Sequence, residues 1–303
     1  MLDELRRLAG RVPGPLGPVL DVSVGTASDW VGVLSGSRPG SGLDEWSPYY
    51  IRRTVPSLRR FLGLYFRYEV RGLDNVPARG PALLVGNHSG GTLIADTFVF
   101  GVAFFSHFGA DRRFHQLAHD VAVALPAVGP MIRRYGALPA SAENARRAFA
   151  KGAPVLVYPG GDYESFRPSW HSDRIELGDR KGFIELALDE GVPLVPVVAI
   201  GGQETGLFLT RGQTLARLLQ LDRLLRVKVL PVVMGPPWGV SILDLPGRLP
   251  LPAKITVQVL PAIDLRERFG PDPDLDAVYE EITAEMQEAL DALARERTLP
   301  FFG

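Results

Sequence analysis

From Ala82 onward the chain alternates short, uniformly apolar runs with longer amphipathic stretches, the pattern of buried strands separated by helices. The apolar runs predict strands at 82–86, 114–118, 154–158, 194–200, 227–233 and 255–260. The stretches between and after them predict helices at 92–105, 141–151, 181–190 and 274–297. Ser141 with Asn144 reads as a helix cap, and Gly152 closes that helix. In the last helix Leu275, Val278, Ile282, Met286, Ala289, Leu290 and Leu293 recur at helical spacing, which predicts a core-facing stripe. The reading is α/β, with a sheet covered on both faces by helices and an N-terminal helical arm.

Upstream of the alternation, 48–68 interleaves Tyr49, Tyr50, Phe61, Tyr65 and Phe66 with Arg52, Arg53, Arg59, Arg60 and Arg67. Such a helix suits a membrane surface, with rings at headgroup level and cations on anionic lipid. It equally suits a helix packed on the core with solvated arginines. Residues 1–45, rich in Gly, Pro and Ser, read as a flexible arm, and 46–303 as a single domain.

Composition narrows the chemistry. A net charge of −1 over 303 residues gives no global argument for nucleic acid. The absence of cysteine removes disulfides, thiolate metal sites and a cysteine nucleophile. The longest apolar run, 97–105, is too short to span a bilayer. The first residues are acidic and lack a signal peptide's apolar core, so a cytoplasmic protein touching membrane from one side is expected.

The densest chemistry lies at the end of the first predicted strand, in Asn87-His88-Ser89-Gly90-Gly91, followed by Asp96. A His at a strand tip faces a cleft, and an Asp in the first turns of the next helix can hold its tautomer. That pairing builds a general base. A second dense segment, Tyr158-Pro159-Gly160-Gly161-Asp162-Tyr163-Glu164-Ser165-Phe166-Arg167, follows the third predicted strand. His115 and His119 stand at i, i+4, a zinc spacing on a helix, but their segment reads as a strand, so no metal is expected.

These residues resemble the glycerolipid (lysophospholipid) acyltransferase family, typified by 1-acylglycerol-3-phosphate acyltransferase. Four blocks over about 70–235 carry the likeness: Asn87-His88 with Asp96; Gly129-Pro130-Met131-Ile132-Arg133-Arg134; Tyr158-Pro159-Gly160-Gly161; and Val192-Pro193-Leu194-Val195-Pro196-Val197. The resemblance implies a mixed, largely parallel sheet flanked by helices. The Pro-Gly-Gly form is similar to the branch that includes diacylglycerol acyltransferases and related neutral-lipid enzymes. Two departures stand out. Seven residues separate His88 from Asp96 where the family has four, and the surplus is expected in the Ser89-Gly90-Gly91 turn, with the helix beginning at Thr92. Gly160 stands where the family usually has Glu, and Glu164 is the expected replacement.

The implied reaction moves a fatty acyl group from acyl-CoA or acyl carrier protein to a lipid hydroxyl, with no other cofactor. His88 is the expected base and Asp96 its aligning carboxylate. Asn87, Gly91, Arg133, Arg134, Gly160, Gly161, Glu164 and Arg167 are the expected substrate-binding residues. Of these, Gly160 and Gly161 would offer N–H groups to the thioester oxyanion, and Arg133, Arg134 and Arg167 would hold phosphate or carboxylate. Phe98, Phe100, Phe104 and Phe105 would line an acyl tunnel or simply fill the core. The expected partners are a membrane lipid acceptor and the acyl donor, with peripheral contact through 48–68 on the inner face of the cell membrane. Two alternatives stay open: a thioesterase or esterase using the same pair to activate water, and a catalytically silent lipid-binding protein.

Overall fold

The computed structural model describes residues 42–125, 128–220, 229–242, 244, 248–297 and 299. All but the end of the expected N-terminal arm lies outside the described residues; Leu43–Glu45 form a 3₁₀ turn.

In chain order the elements are α1 (Pro48–Tyr65), β1 (Glu69–Arg71), β2 (Leu83–Gly86), α2 (Ala95–Phe108), β3 (His115–Ala118), α3 (Asp120–Ala124), α4 (Gly129–Arg134) and β4 (Ala137–Pro139). Then come α5 (Ala142–Phe149), β5 (Val155–Val157), α6 (Gly161–Ser165), α7 (Gly182–Glu190), β6 (Leu194–Ile200), β7 (Leu207–Thr210) and α8 (Gln213–Leu218). The chain ends with β8 (Val232–Gly235), β9 (Gly239–Ile242), β10 (Thr256–Val259), α9 (Leu265–Phe269) and α10 (Leu275–Glu296). Outside the small antiparallel sheet of β7, β8 and β9, strands pair mostly in parallel and alternate with helices, so the fold is mixed α/β with a largely parallel sheet flanked by helices, as expected.

Two compact units divide the chain. The first takes residues up to Phe61, Pro77–Leu83 and Gly101–Val157. Its strands run β5-β3-β4, all parallel. Ser141 caps α5, its hydroxyl accepting from Asn144 N–H at 3.1 Å. Phe104 stacks on Phe114 at 4.4 Å, and Phe105 meets the same ring edge-on, so these aromatics are core packing here. In α1, Ile51, Thr54 and Val55 are buried while Arg52, Arg53, Arg59 and Arg60 are exposed. His115 lies in a strand, as expected, fully buried with Nδ1 2.9 Å from Gly136 O. Burial pulls its pKa down to about 4. His119 instead caps α3, accepting from Val121 N–H.

The second unit holds Leu62–Val76, Leu84–Phe100 and everything from Tyr158 on. Its strands run β1-β10-β6-β2, with β1 parallel and β6 antiparallel to β10. A separate three-stranded antiparallel sheet runs β7-β8-β9. The predicted strand at 227–233 overlaps β8 only at Val232 and Val233, because Val229–Pro231 stay outside the ladder. Helix α10 packs on β6, and five of the seven stripe residues, Val278, Ile282, Met286, Leu290 and Leu293, are buried, while Leu275 and Ala289 are half-buried.

Residues Gly91–Phe108 make an 18-residue window of mean hydropathy 1.4, long and apolar enough to cross a membrane, contrary to the sequence expectation. It is 56% buried inside the protein, so length and composition alone do not make it a span.

Ile282 is wholly buried in the α10 stripe. Ile282→Ala is expected to destabilise the protein by about 2–5 kcal/mol, because it removes buried methylenes and leaves a cavity; urea denaturation measures it.

Candidate active site

Of the expected site residues, all but Arg133 and Arg134 lie in the second unit. Strand β2 is apolar and buried throughout, and it delivers Asn87 and His88 at its end. The chain then turns through Gly90 and Gly91, both with positive φ, into a 3₁₀ turn over Gly91–Leu93. Ile94 is also left-handed, at φ 37°, before α2 starts at Ala95. The surplus residues between His88 and Asp96 therefore occupy a longer turn than expected, reaching Ile94 rather than stopping at Gly91. Asp96 still falls in the first turn of α2.

His88 Nδ1 lies 3.8 Å from Asp96 Oδ2. It is buried and has no hydrogen-bond partner. The distance is too long for a hydrogen bond, and a movement of about 1 Å would make one. Asp96 is held in place by its other contacts. Its Oδ2 accepts from Ser89 N–H at 3.0 Å and Ser89 Oγ at 3.1 Å, and its Oδ1 accepts from Thr97 N–H at 2.7 Å. The imidazole stacks on the Tyr158 ring at 4.3 Å with an interplanar angle of 19°. That ring fits because Gly86 has no side chain: a Cβ there would meet Tyr158 Cε1 at 2.6 Å. The Tyr158 hydroxyl accepts from Thr97 Oγ1 at 2.9 Å, fixing the ring from its far end.

Glu164 and Arg167 clamp the backbone of His88. Its N–H donates to Glu164 Oε2 at 2.8 Å, and its carbonyl accepts from Arg167 Nη1 at 2.5 Å. Glu164 Oε1 accepts from Glu176 N–H at 2.9 Å. Arg167 also donates to the carbonyls of Glu164, His171 and Ser172. Both side chains are 0% exposed. Their expected role was contact with substrate; the geometry gives them to the main chain instead. Burial raises the Glu164 pKa to about 7, against the opposing pull of Arg167 and the His88 N–H. Burial also lowers that of Arg167, against the attraction of Glu164.

Gly160 and Glu164 explain each other. A Cβ on Gly160 would sit 2.5 Å from Glu164 Oε2 and 2.6 Å from Glu176 O. The carboxylate of Glu164 thus fills the space beside Gly160, so a larger side chain at 160 and this Glu164 rotamer exclude one another. Gly161 N–H donates to Tyr158 O at 3.1 Å, so it is engaged within the turn rather than offered to an oxyanion. Asn87 is fully buried, and its amide bonds both the carbonyl and the N–H of Ala199, at 2.9 and 2.7 Å. It latches β2 to β6.

Three residues that the sequence did not single out hold the rest of the turn. Gln203 Oε1 accepts from Gly90 N–H at 3.1 Å. Asp244 Oδ2 accepts from Thr92 N–H at 2.7 Å. Arg248 donates to Gly90 O at 3.2 Å and pairs with Asp244 through Nε at 2.5 Å. Ser165 completes the set, donating to Gly91 O at 2.9 Å. A Cβ on Gly91 would strike Asp244 Oδ2 at 2.4 Å, so this glycine is where side chain and turn pack directly. No local pattern ties Gln203, Asp244 or Arg248 to the turn, since each lies more than a hundred residues from its partner there.

Arg133 and Arg134 belong to the first unit. There Arg133 pairs with Glu45 at 2.7 Å and donates to Val123 O. Arg134 lies 5.1 Å over the Tyr50 ring.

The acyltransferase family profile matches residues 67–200, close to the start of the expected 70–235 span but ending at β6. An uncharacterized protein of Mycobacterium tuberculosis is 30% identical over all of this chain and 84% of its own length. The human "DGAT1/2-independent enzyme synthesizing storage lipids" is 29% identical over 48% of this chain and 44% of its own. Phytyl ester synthase 1 of Arabidopsis thaliana is 28% identical over 44% of this chain and 19% of its own. Among solved structures, the 1-acyl-sn-glycerophosphate (LPA) acyltransferase of Thermotoga maritima shares the fold, with a TM-score of 0.51 at 14% identity over 81% of each chain.

The raised Glu164 pKa has a consequence for stability. The carboxyl ionises near pH 4.5 when unfolded and near 7 when folded. Its contribution is therefore complete below about 4.5 and is lost as pH rises through about 7. Glu164→Gln is expected to flatten that part of the stability–pH curve, read from urea denaturation midpoints at a series of pH values. Glu164→Ala leaves the half-buried N–H groups of His88 and Glu176 without their acceptor and is expected to cost about 1–3 kcal/mol in all.

Proposed function

We propose, for a chain that belongs to the acyltransferase family, that it moves a fatty acyl group from acyl-CoA or acyl carrier protein to the hydroxyl of a glycerolipid or related lipid at a membrane surface. The observation that carries this reading is the buried, unpartnered Nδ1 of His88 facing Asp96 at 3.8 Å. With Nδ1 turned toward the carboxylate, Nε2 is the atom left to act as base. The acceptor hydroxyl gives its proton to Nε2 as its oxygen attacks the thioester carbonyl. The C–S bond then breaks, and the proton on the imidazolium goes to the leaving thiolate. Asp96 fixes the tautomer and stabilises the imidazolium. Catalytic hydrogen bonds in unliganded sites are often long and tighten only when substrate binds, which suits the observed separation.

The chain has no cysteine to carry a thioester intermediate, which supports direct transfer to the acceptor hydroxyl. No cofactor beyond the acyl donor takes part, and no nucleic acid is a partner. The acceptor class draws support from relatives named for storage-lipid and phytyl-ester synthesis, and a neutral-lipid hydroxyl suits a site whose Arg167 is fully engaged by carbonyls. The working location is the inner face of the cell membrane. Helix α1 supports a membrane contact, since it exposes Tyr49 and Leu64 beside Arg52, Arg53, Arg59 and Arg60.

Purified protein is expected to consume palmitoyl-CoA only when a lipid acceptor is supplied, with the acylated product read by mass spectrometry. His88→Ala should lower that rate by about 10²–10⁴ with the unfolding midpoint retained. Asp96→Asn should lower it too while leaving the acyl-CoA KM near its starting value. Undiminished transfer by His88→Ala would sink the mechanism, and thioester hydrolysis indifferent to added lipid would point to a thioesterase.

A further inference from the structure

The small sheet β7-β8-β9 breaks the usual rule for a sheet with one face in water. Such a sheet alternates apolar and polar residues along each strand. Here Phe208 and Val233 oppose each other and are both fully buried, which accounts for the inner face. The opposite face carries Leu207 against Met234, Met234 against Val240, and Val232 against Ile242. These are apolar too, Thr210 beside Val232 at the β7 margin being the exception, and Met234, Val240 and Ile242 are 40%, 63% and 57% exposed. At the β8–β9 turn Trp238 stands 51% exposed, and Leu249 beyond the sheet is 58% exposed. From Val229 to Leu243 the sequence has no charged residue and one hydroxyl, Ser241, while three cations, Arg223, Arg226 and Lys228, and one acid, Asp222, precede the run.

We infer that the β8–β9 hairpin, Val232–Ile242, is a membrane-docking element that seats its outer face and Trp238 in the interfacial layer of a lipid bilayer. An apolar patch of this kind marks either a protein partner or a membrane. Protein interfaces surround their apolar centre with a polar rim. This hairpin has none along its own length; it carries an amphipathic ring at the tip and cations in the sequence before it, the pattern of an interfacial anchor. The hairpin also connects directly to the candidate site. Two residues past Ile242, Asp244 accepts from Thr92 N–H, and its partner Arg248 holds Gly90 O, both in the turn that follows His88. Docking there brings the bilayer to the sheet whose base fastens the His88 turn. The inference rests on the reading of a lipid acceptor and gives that acceptor its route of approach.

Because the natural chain lacks cysteine, Val240→Cys in the full-length protein takes a single environment-sensitive fluorophore such as NBD. With vesicles of phosphatidylcholine and phosphatidylglycerol, the label should shift to the blue and be quenched by nitroxide on the acyl chains. The same label at exposed Asp272, through Asp272→Cys, should do neither. In the unlabelled chain, Met234→Lys with Val240→Glu places opposite charges on a cross-strand pair, which the hairpin tolerates. That variant should sediment with vesicles at least about tenfold less. A label at 240 that stays water-like while the protein co-sediments would overturn the inference, as would a label that responds to protein concentration without lipid, the sign of a second copy on this face. Neither readout needs turnover. A hairpin that inserts in a protein that transfers no acyl group would retire the catalytic reading alone.

Discussion

The turn after His88 depends on side chains that hydrogen-bond its backbone. A glycine-rich segment has much conformational freedom to lose on folding, and buried peptide groups must find partners. From His88 to Thr92 those partners come from elsewhere in the unit. Glu164 takes His88 N–H, Arg167 its carbonyl, Asp96 the N–H of Ser89, and Gln203 the N–H of Gly90. Arg248, Ser165 and Asp244 take Gly90 O, Gly91 O and Thr92 N–H. The position of the imidazole is a consequence of this clamp more than of anything in its own segment.

The same constraint accounts for the departures from the family pattern. A longer turn between His88 and Asp96 is tolerable only if its extra peptides are satisfied, and Gln203, Asp244 and Arg248 satisfy them. The glycine at 160 opens the space that the Glu164 carboxylate enters to reach His88 N–H. Gly86 does the same for the Tyr158 ring that stacks on the imidazole. Small residue and large partner are paired at both places, so each glycine is a packing decision as well as a conformational one.

Much of the site was legible because it is local. His88 at a strand end and Asp96 in the first helical turn are eight positions apart, and strand and helix periodicity place both. The block from Tyr158 to Arg167 was equally visible, but its residues' tasks were not. An Arg and a Glu beside a glycine turn read as ligands for substrate charge, yet both are buried and bound to carbonyls and N–H groups. Exposure decides between those roles, and a charged side chain in a sequence carries no mark of its own burial. Asn87 was misread in kind for the same reason, since its amide is taken up by Ala199.

The sequence by itself determined the alternation of strands and helices, the buried stripe of α10, the capped start of α5 and the His–Asp pair, because period, cap and short-range spacing are properties of neighbouring residues. Only the tertiary structure decided that Val232 and Val233 enter the central strand of a separate three-stranded sheet. It also decided that Asp244 and Arg248 fasten a turn some 150 residues earlier. Pairing between distant segments is settled by which apolar faces and unsatisfied peptides meet when the chain closes, and no window of sequence holds both sides of that meeting.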